Sequence, residues 1–181
     1  IMHNLAMELY DNGHEVTGSD DAIFDPALTR LKEKGILPDA MGWHTERIQT
    51  DLDLVILGMH ARADNPELKK AQELGIKVMS FPEFMYEHAK DKKRVVIAGS
   101  HGKTTTTSMV LHLLKSAGKD VDYLVGAQLE GFGNMVKLSD APIAVFEGDE
   151  YTASPLDLRP KFMHYKPHIS VITGIAWDHI N

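Results

Sequence analysis

The segment VVIAGSHGKTT, residues 95–105, decides the fold of this chain. Its first four residues are valine, isoleucine or alanine, which is typical of a buried strand. The turn that follows contains Gly99 and Gly102, and Lys103 opens an apolar-periodic stretch that predicts a helix to Ala117. A strand, a glycine turn and a helix in this order bring unpaired amide groups and the positive end of a helix dipole to one point. The segment therefore predicts a phosphate-binding loop.

The side chains of this loop favour ATP with Mg²⁺ over a simple anion. Lys103 offers a point charge for terminal phosphates, and the Thr104 hydroxyl is a hard oxygen ligand for Mg²⁺. The usual pattern has a glycine five positions before Gly102, where this chain has Ile97, so the loop is a shortened one. An ordinary glycine turn with a lysine at the helix start is the alternative. The expected ATP phosphate-binding residues are Gly99, Ser100, His101, Gly102, Lys103, Thr104 and Thr105.

A second magnesium ligand is expected at the end of a neighbouring strand. Glu147 directly follows the apolar run 143–146, and carboxylates at strand ends commonly meet ligands in α/β sheets. A solvated acidic turn would explain the same residues. Another predicted strand, 169–173, is followed by His179, although a lone histidine is more often structural than a metal ligand.

The chain as a whole alternates helices and strands. Such alternation predicts parallel strands joined by helices, and the charged stretch 90–94 indicates a boundary between a domain at 1–91 and a second at 92–181. We expect a Rossmann-like parallel-sheet domain followed by the start of a P-loop α/β domain, with the chain truncated at both ends. The chain opens inside a predicted helix, which has Leu5, Ala6, Leu9 and Tyr10 at helical spacing and ends at Gly13. Further predicted helices are 26–34, 66–74, 82–90 and 103–117, the last with Met109, Val110, Leu113, Leu114 and Ala117 on one face. The predicted strands are 15–20, 52–57, 77–80, 95–98, 123–126, 143–146 and 169–173.

Two strand ends of the first domain carry candidate ligand contacts. Ser19 and Asp20 end one predicted strand, a position that often faces ligands in α/β sheets. His60, Arg62 and Asn65 lie between another strand and a helix, where Arg62 and backbone donors could meet a phosphate or a uracil edge. Helix capping by Asn65 explains the same segment equally well.

Composition excludes several classes of function. The chain of 181 residues has a formal charge of −7 and no basic cluster, which argues against nucleic-acid binding. The absence of cysteine excludes disulfides, thiolate nucleophiles and cysteine-based zinc sites. Neither a membrane-length apolar run nor a signal peptide is found, so we expect a soluble cytoplasmic protein that does not bind membranes.

Taken together, these residues resemble the Mur ligase family of peptidoglycan synthesis. Residues 99–105 look like its shortened phosphate loop, and residues 64–67 and 18–20 are similar to segments of its UDP-binding domain. The resemblance implies an ATP-dependent ligase that forms a C–N bond and acts on UDP-N-acetylmuramic acid. It also implies the following roles: Lys103 on the ATP phosphates, Thr104 and Glu147 on one Mg²⁺, His179 on a second Mg²⁺, and Ser19, Asp20, His60, Arg62 and Asn65 on the UDP-sugar.

The resemblance leaves the incoming amine open. Residues 148–151 and 157–167 resemble the branch that adds an L-Ala-γ-D-Glu-meso-diaminopimelate tripeptide through an acyl phosphate in peptidoglycan recycling, while addition of L-alanine is the alternative. Folate-type amino-acid ligases with the same short loop, and a non-catalytic nucleotide-binding module, are further possibilities. The family's Gly-rich loop would precede Ile1 and its C-terminal domain would follow Asn181, so this chain alone is expected to be inactive.

Overall fold

The computed structural model describes residues 1–129 and 131–176. Helices and strands alternate between residues 55 and 124, and a short 3-10 turn lies at Thr45–Arg47. The helices are α1 (Met2–Asp11), α2 (Ala27–Glu33), α3 (Pro66–Glu73), α4 (Phe81–Ala89), α5 (Lys103–Ser116) and α6 (Lys161–His164). The strands are β1 (Val55–Leu57), β2 (Val78–Ser80), β3 (Lys93–Ala98), β4 (Asp122–Leu124), β5 (Val136–Lys137), β6 (Ile143–Glu147), β7 (Thr152–Ser154), β8 (Asp157–Pro160) and β9 (Ile169–Ile172).

The principal sheet has five strands in the order β5-β4-β6-β3-β9. Its strands β4, β6, β3 and β9 run parallel, and β5 joins the edge antiparallel to β4. A separate parallel pair, β1 and β2, belongs to the first half of the chain, and β7 and β8 form an antiparallel pair. The predicted α/β class with parallel sheets is confirmed.

One predicted strand is not formed. Residues 15–20 have no regular secondary structure, and the sheet of the first half consists of β1 and β2 alone within the described ranges. A strand exists only where a neighbour completes its backbone hydrogen bonds, and a local pattern cannot supply that neighbour. Side-chain contacts hold this segment instead, since Arg47 donates to Ser19 Oγ at 3.0 Å.

The principal sheet is covered on both faces. Adjacent residues of β3 point in opposite directions, so that Val96 packs with Phe81 and Met85 of α4, whereas Ile97 packs with Leu111 of α5. The buried stripe of α5 differs from the predicted one. Met109 and Leu113 are 60% and 66% exposed, and the helix instead buries Thr107 and Leu111, with Val110 and Leu114 partly buried. These four positions follow the i, i+3, i+4, i+7 spacing of one helix face.

This topology brings several loops together at one edge of the sheet. Because β3, β4, β6 and β9 are parallel, the residues that follow them lie at the same edge. They are the turn 99–102, Gly126, the segment from Glu147 and the segment from Thr173. As for membrane association, no helix within the described ranges is both long and apolar enough to cross a bilayer.

Candidate functional site

The turn between β3 and α5 depends on two glycines. Gly99 has φ of +120°, and a Cβ atom there would lie 2.7 Å from the backbone nitrogen of Thr173. Gly102 has φ of +80° and is the N-cap of α5. Thr173 also donates from Oγ1 to the carbonyl of Ala98 at 3.2 Å, so the end of β9 supports the turn. The sequence did not indicate this role for Thr173, because the contact joins residues far apart in the chain.

The N-terminus of α5 is available to an anion. The first amide groups of any helix have no acceptor within the helix, and no described side chain caps this one. Ser100 precedes the N-terminus of α5 and already has hydrogen-bond partners. Its amide donates to the carbonyl of Gly174 at 3.0 Å, and its hydroxyl accepts from the amide of Ala176 at 3.2 Å. His101 and Thr105 are exposed.

The Lys103 ammonium lies over the turn rather than in the apolar core. Its Nζ donates to the Gly99 carbonyl at 2.7 Å and lies 3.0 Å from Glu150 Oε2. The side chain is 13% exposed and that of Glu150 is 31% exposed. A bound phosphate would therefore compete with Glu150 for Lys103. The sequence places Glu150 in an acidic turn and in the segment 148–151, without indicating a contact with Lys103.

Thr104 and Glu147, the two predicted magnesium ligands, are brought together. The Thr104 hydroxyl donates to Glu147 Oε1 at 2.8 Å, and the amide of Gly126 donates to Glu147 Oε2 at 2.9 Å. A Cβ atom on Gly126 would lie 2.6 Å from Glu147 Oε1, so residue 126 must lack a side chain for the carboxylate to take this position. The sequence predicts Gly126 only as the end of a strand, because a contact with the distant Glu147 leaves no local signal.

This pair of oxygens fits magnesium. Mg²⁺ is bound octahedrally by oxygen atoms at about 2.0–2.1 Å, which separates neighbouring ligand oxygens by about 2.9 Å. The 2.8 Å between Thr104 Oγ1 and Glu147 Oε1 matches that separation. Both are hard oxygen donors beside the uncapped helix N-terminus, which suits a cation that bridges protein and phosphate. The remaining predicted metal ligand, His179, lies outside the described residues.

In the first half of the chain, two of the predicted UDP-sugar residues meet at the N-terminus of α3. Asn65 caps this helix, because its side chain accepts from the amides of Glu67 at 2.8 Å and Leu68 at 3.1 Å. Ser19 Oγ donates to Glu67 Oε1 at 2.8 Å, and the amide of His44 donates to the same oxygen at 2.6 Å. The alternative interpretation of Asn65 as a helix cap therefore describes its observed contacts.

The other three candidates are exposed. Arg62 pairs with Asp64, with 2.9 Å between Arg62 Nε and Asp64 Oδ1. This contact raises the pKa of the arginine and lowers that of the carboxyl. The side chains of Asp20 and His60 lie at the surface. The first half of the chain thus carries accessible polar groups at these three positions.

Comparison with known families divides the chain in two. Residues 1–93 match the profile of the Mur ligase family, catalytic domain, and residues 97–181 match that of the Mur ligase middle domain. The first match covers about half of the chain.

Curated relatives of two kinds are similar over nearly the whole chain. The UDP-N-acetylmuramate–L-alanyl-gamma-D-glutamyl-meso-2,6-diaminoheptandioate ligase of Haemophilus influenzae is 34% identical across 99% of this chain. The UDP-N-acetylmuramate–L-alanine ligase of Carboxydothermus hydrogenoformans is 35% identical, also across 99% of this chain. The chain spans 40% of the length of the first relative and 37% of the second.

Solved structures of both kinds of ligase are also similar to this chain. The chain is similar to the UDP-N-acetylmuramate:L-alanyl-gamma-D-glutamyl-meso-diaminopimelate ligase of Neisseria meningitidis, with a TM-score of 0.87 at 30% identity over 99% of this chain and 59% of that one. It is also similar to the UDP-N-acetylmuramate-alanine ligase of Thermotoga maritima, with a TM-score of 0.76 at 27% identity over 98% of this chain and 40% of that one. From these matches, together with the geometry of the turn at 99–102, we conclude that the chain belongs to the Mur ligase family.

Proposed function

We propose that this chain is the sugar-nucleotide- and ATP-binding part of an ATP-dependent ligase. The ligase joins UDP-N-acetylmuramic acid to the tripeptide L-Ala-γ-D-Glu-meso-diaminopimelate in peptidoglycan recycling. Residues 1–91 bind the UDP-sugar and residues 92–181 bind ATP. The observation that carries the proposal is the convergence of Lys103, Thr104 and Glu147 at the uncapped N-terminus of α5.

Each candidate residue has a role in this proposal. The backbone of residues 99–105 surrounds the ATP phosphates, and Lys103 neutralises part of their charge. Thr104 and Glu147 hold one Mg²⁺, and His179 contributes to a second. Bound Mg²⁺ supplies Lewis-acid charge stabilisation where phosphate and carboxylate anions converge. On the UDP-sugar, the proposed contacts are Ser19, Asp20, His60, Arg62 and Asn65.

The chemistry follows from the poor reactivity of a carboxylate. A lactyl carboxylate oxygen of the sugar nucleotide attacks the γ-phosphorus of ATP, and ADP leaves. The free amine of the peptide then attacks the acyl carbon, inorganic phosphate leaves, and the amine loses a proton. Phosphorylation thereby makes the carbon electrophilic and supplies a leaving group. The part of the chain described here contributes the phosphate and sugar-nucleotide contacts.

The tripeptide is favoured over L-alanine by the segment 157–167. Lys161, whose side chain is 7% exposed, pairs with Asp149 at 2.9 Å, and its amide donates to the carbonyl of Tyr151 at 2.9 Å. The segment therefore braces the acidic turn that follows Glu147. A solved structure named as the L-alanyl-gamma-D-glutamyl-meso-diaminopimelate ligase has a TM-score of 0.87 to this chain, and one named as a murein peptide ligase has a TM-score of 0.83.

Addition of L-alanine is the second candidate, because curated ligases of both kinds resemble this chain to nearly the same extent. A curated L-alanine ligase is 35% identical to this chain, against 34% for a curated ligase of the tripeptide. Sequence identity over this region thus does not separate the two substrates.

A ligase assay on the full-length protein tests the proposal. Purified enzyme is incubated with ATP, Mg²⁺ and UDP-N-acetylmuramic acid, and with tripeptide or L-alanine in parallel, and the products are separated by mass. We expect tripeptide incorporation that falls at least about 100-fold in Lys103→Ala, because a preorganised charge at the phosphates is lost. The exposed Lys119 provides the control variant Lys119→Ala, which should retain activity.

Two outcomes contradict the proposal in different ways. Incorporation of L-alanine alone would overturn the tripeptide assignment and leave the ligase in place. Binding of ATP without any product from either amine would instead support a non-catalytic nucleotide-binding module.

A further inference from the structure

A second cluster of ligating side chains lies where α4 meets β8 and α6. Glu83 of α4, Asp157 of β8 and His164 of α6 each place one possible ligand atom within 4.8 Å of the other two. Two of these side chains are partly buried and the histidine is buried. None of the three belongs to the phosphate-binding turn or to the predicted UDP-sugar contacts. The cluster therefore requires its own explanation.

The buried histidine is the strongest indication of a ligand. The His164 side chain is 5% exposed, and its Nε2 atom has no hydrogen-bond partner in the described part of the chain. A buried polar atom without a partner is unfavourable by about 1–3 kcal/mol, so native proteins seldom leave one unsatisfied. This nitrogen lies 3.4 Å from Asp157 Oδ2, within the cluster that the two carboxylates form.

That separation suits two ligands of one metal ion. Zinc binds imidazole nitrogen and carboxylate oxygen at about 2.0–2.2 Å in tetrahedral geometry, which separates neighbouring ligand atoms by about 3.3–3.5 Å. The 3.4 Å between His164 Nε2 and Asp157 Oδ2 lies in this range. It is longer than a strong charge-assisted hydrogen bond between the same groups would be.

Both carboxylates are held in place by other residues. Arg159 forms a bidentate ion pair with Asp157, donating from Nε to Oδ1 at 3.0 Å and from Nη2 to Oδ2 at 2.5 Å. Ser80 donates to Glu83 Oε2 from its amide at 2.7 Å and from its hydroxyl at 2.8 Å. These bonds to Glu83 use Oε2 and leave Oε1 for a ligand. Supporting hydrogen bonds of this kind orient the ligands of known metal sites.

We propose that Glu83, Asp157 and His164 bind a divalent transition metal ion of the Zn²⁺ type, with water as the fourth ligand. One imidazole and two carboxylates favour zinc over magnesium, which prefers oxygen ligands alone. Two carboxylates and the Arg159 guanidinium carry a net charge of −1, which attracts a dication. The ion joins α4 to β8 and α6, and thus links the segments before and after residue 91.

Cobalt substitution tests the site directly. The full-length protein is freed of metal with a chelator, and Co²⁺ is added in the presence of millimolar Mg²⁺, which competes for the proposed magnesium site at Thr104 and Glu147. Tetrahedral Co²⁺ absorbs visible light far more strongly than octahedral Co²⁺. We expect one equivalent to give an intense visible spectrum, and Zn²⁺ to displace it and raise the melting temperature.

Three variants identify the ligands. Glu83→Gln keeps the capping contact with Ser80, because glutamine serves equally at this position of a capping box, but removes the charge. Glu83→Gln, Asp157→Asn and His164→Gln are each expected to weaken Co²⁺ binding at least about tenfold. The exposed His112 provides the control His112→Gln, which should bind as the parent does.

The proposal fails if the parent protein gives only the weak spectrum of octahedral Co²⁺, or if Glu83→Gln and Asp157→Asn bind Co²⁺ unchanged. These two variants alter partly exposed groups, so they report on binding even if His164→Gln does not fold. Melting curves without metal establish which variants are folded.

Discussion

Glycine at position 126 determines where the carboxylate of Glu147 can lie. The Gly126 amide donates to Glu147 Oε2, and a Cβ atom would approach Oε1 to 2.6 Å. We predict that Gly126→Ala displaces the carboxylate from Thr104 and weakens Mg²⁺-dependent nucleotide binding by about 10- to 100-fold, as is usual when a group supporting a metal ligand is lost. Titration of a fluorescent ATP analogue at several Mg²⁺ concentrations measures this effect.

Gly133→Ala is the matched control, since a Cβ atom at Gly133 would have no neighbour within 4 Å. If the parent and Gly126→Ala show the same Mg²⁺ dependence, then nucleotide binding does not require the Glu147 carboxylate to lie against the Gly126 amide.

At the residue scale, the sequence could predict only contacts within one segment. Lys103 and Thr104 were identifiable because their roles follow from a turn and the helix directly after it. Glu147 was identifiable because it ends an apolar strand. Gly126, Glu150 and Thr173 reach the same site from separate strands, so their contacts depend on the strand order of the sheet, which no local pattern encodes.

At the scale of elements, Asn65 determines the start of α3. Its buried side chain accepts from the amides of Glu67 and Leu68, which the helix itself leaves unpaired. We predict that Asn65→Ala lowers the free energy of unfolding by about 1 kcal/mol. Asn65→Asp should keep most of the parent's free energy of unfolding, because aspartate is an equally good N-cap. Urea denaturation of the three proteins measures the difference.

The same pair of variants separates capping from substrate binding. If Asn65 also contacts the UDP-sugar, Asn65→Asp should weaken UDP-N-acetylmuramic acid binding at unchanged stability. Equal loss of stability in both variants would show that the side chain does not act as a cap.

Helices were predicted more accurately than strands for a physical reason. A helix satisfies its own hydrogen bonds and its caps are local, so α3 and α4 begin at or within one residue of the predicted starts. A strand needs a partner, and the predicted strand at 15–20 has none in the described sheets. The buried face of α5 was partly wrong because methionine and leucine at Met109 and Leu113 are apolar yet lie on the exposed side.

At the scale of the whole molecule, Asp122 connects the two halves of the chain. This fully buried carboxylate at the start of β4 accepts from His88 of α4 at 2.8 Å, from Lys92 at 2.5 Å and from Ser139 at 2.6 Å. Burial by itself would raise the pKa of Asp122, but the hydrogen bonds from these three partners outweigh it and leave the pKa below the ordinary 3.8. The ionised carboxylate therefore stabilises the native state.

This network predicts how stability depends on pH. A carboxyl group whose pKa is lower in the folded than in the unfolded chain stabilises the fold fully above its unfolded value, and that contribution is lost as the pH falls through the folded value. We predict that Asp122→Asn lowers the free energy of unfolding by about 3 kcal/mol at neutral pH, because Lys92 loses its buried partner. The difference from the parent should persist down to about pH 5 and shrink below about pH 4, where the unfolded chain begins to bind a proton at Asp122 that the folded carboxylate does not yet bind. Urea unfolding across this range measures it, with the exposed Asp120 providing the control Asp120→Asn. If the difference in free energy of unfolding stays constant from neutral pH to pH 3, the charge of Asp122 does not contribute to the contact between the two halves. The hydrogen bonds of Asp122 alone would then account for the loss of stability in Asp122→Asn.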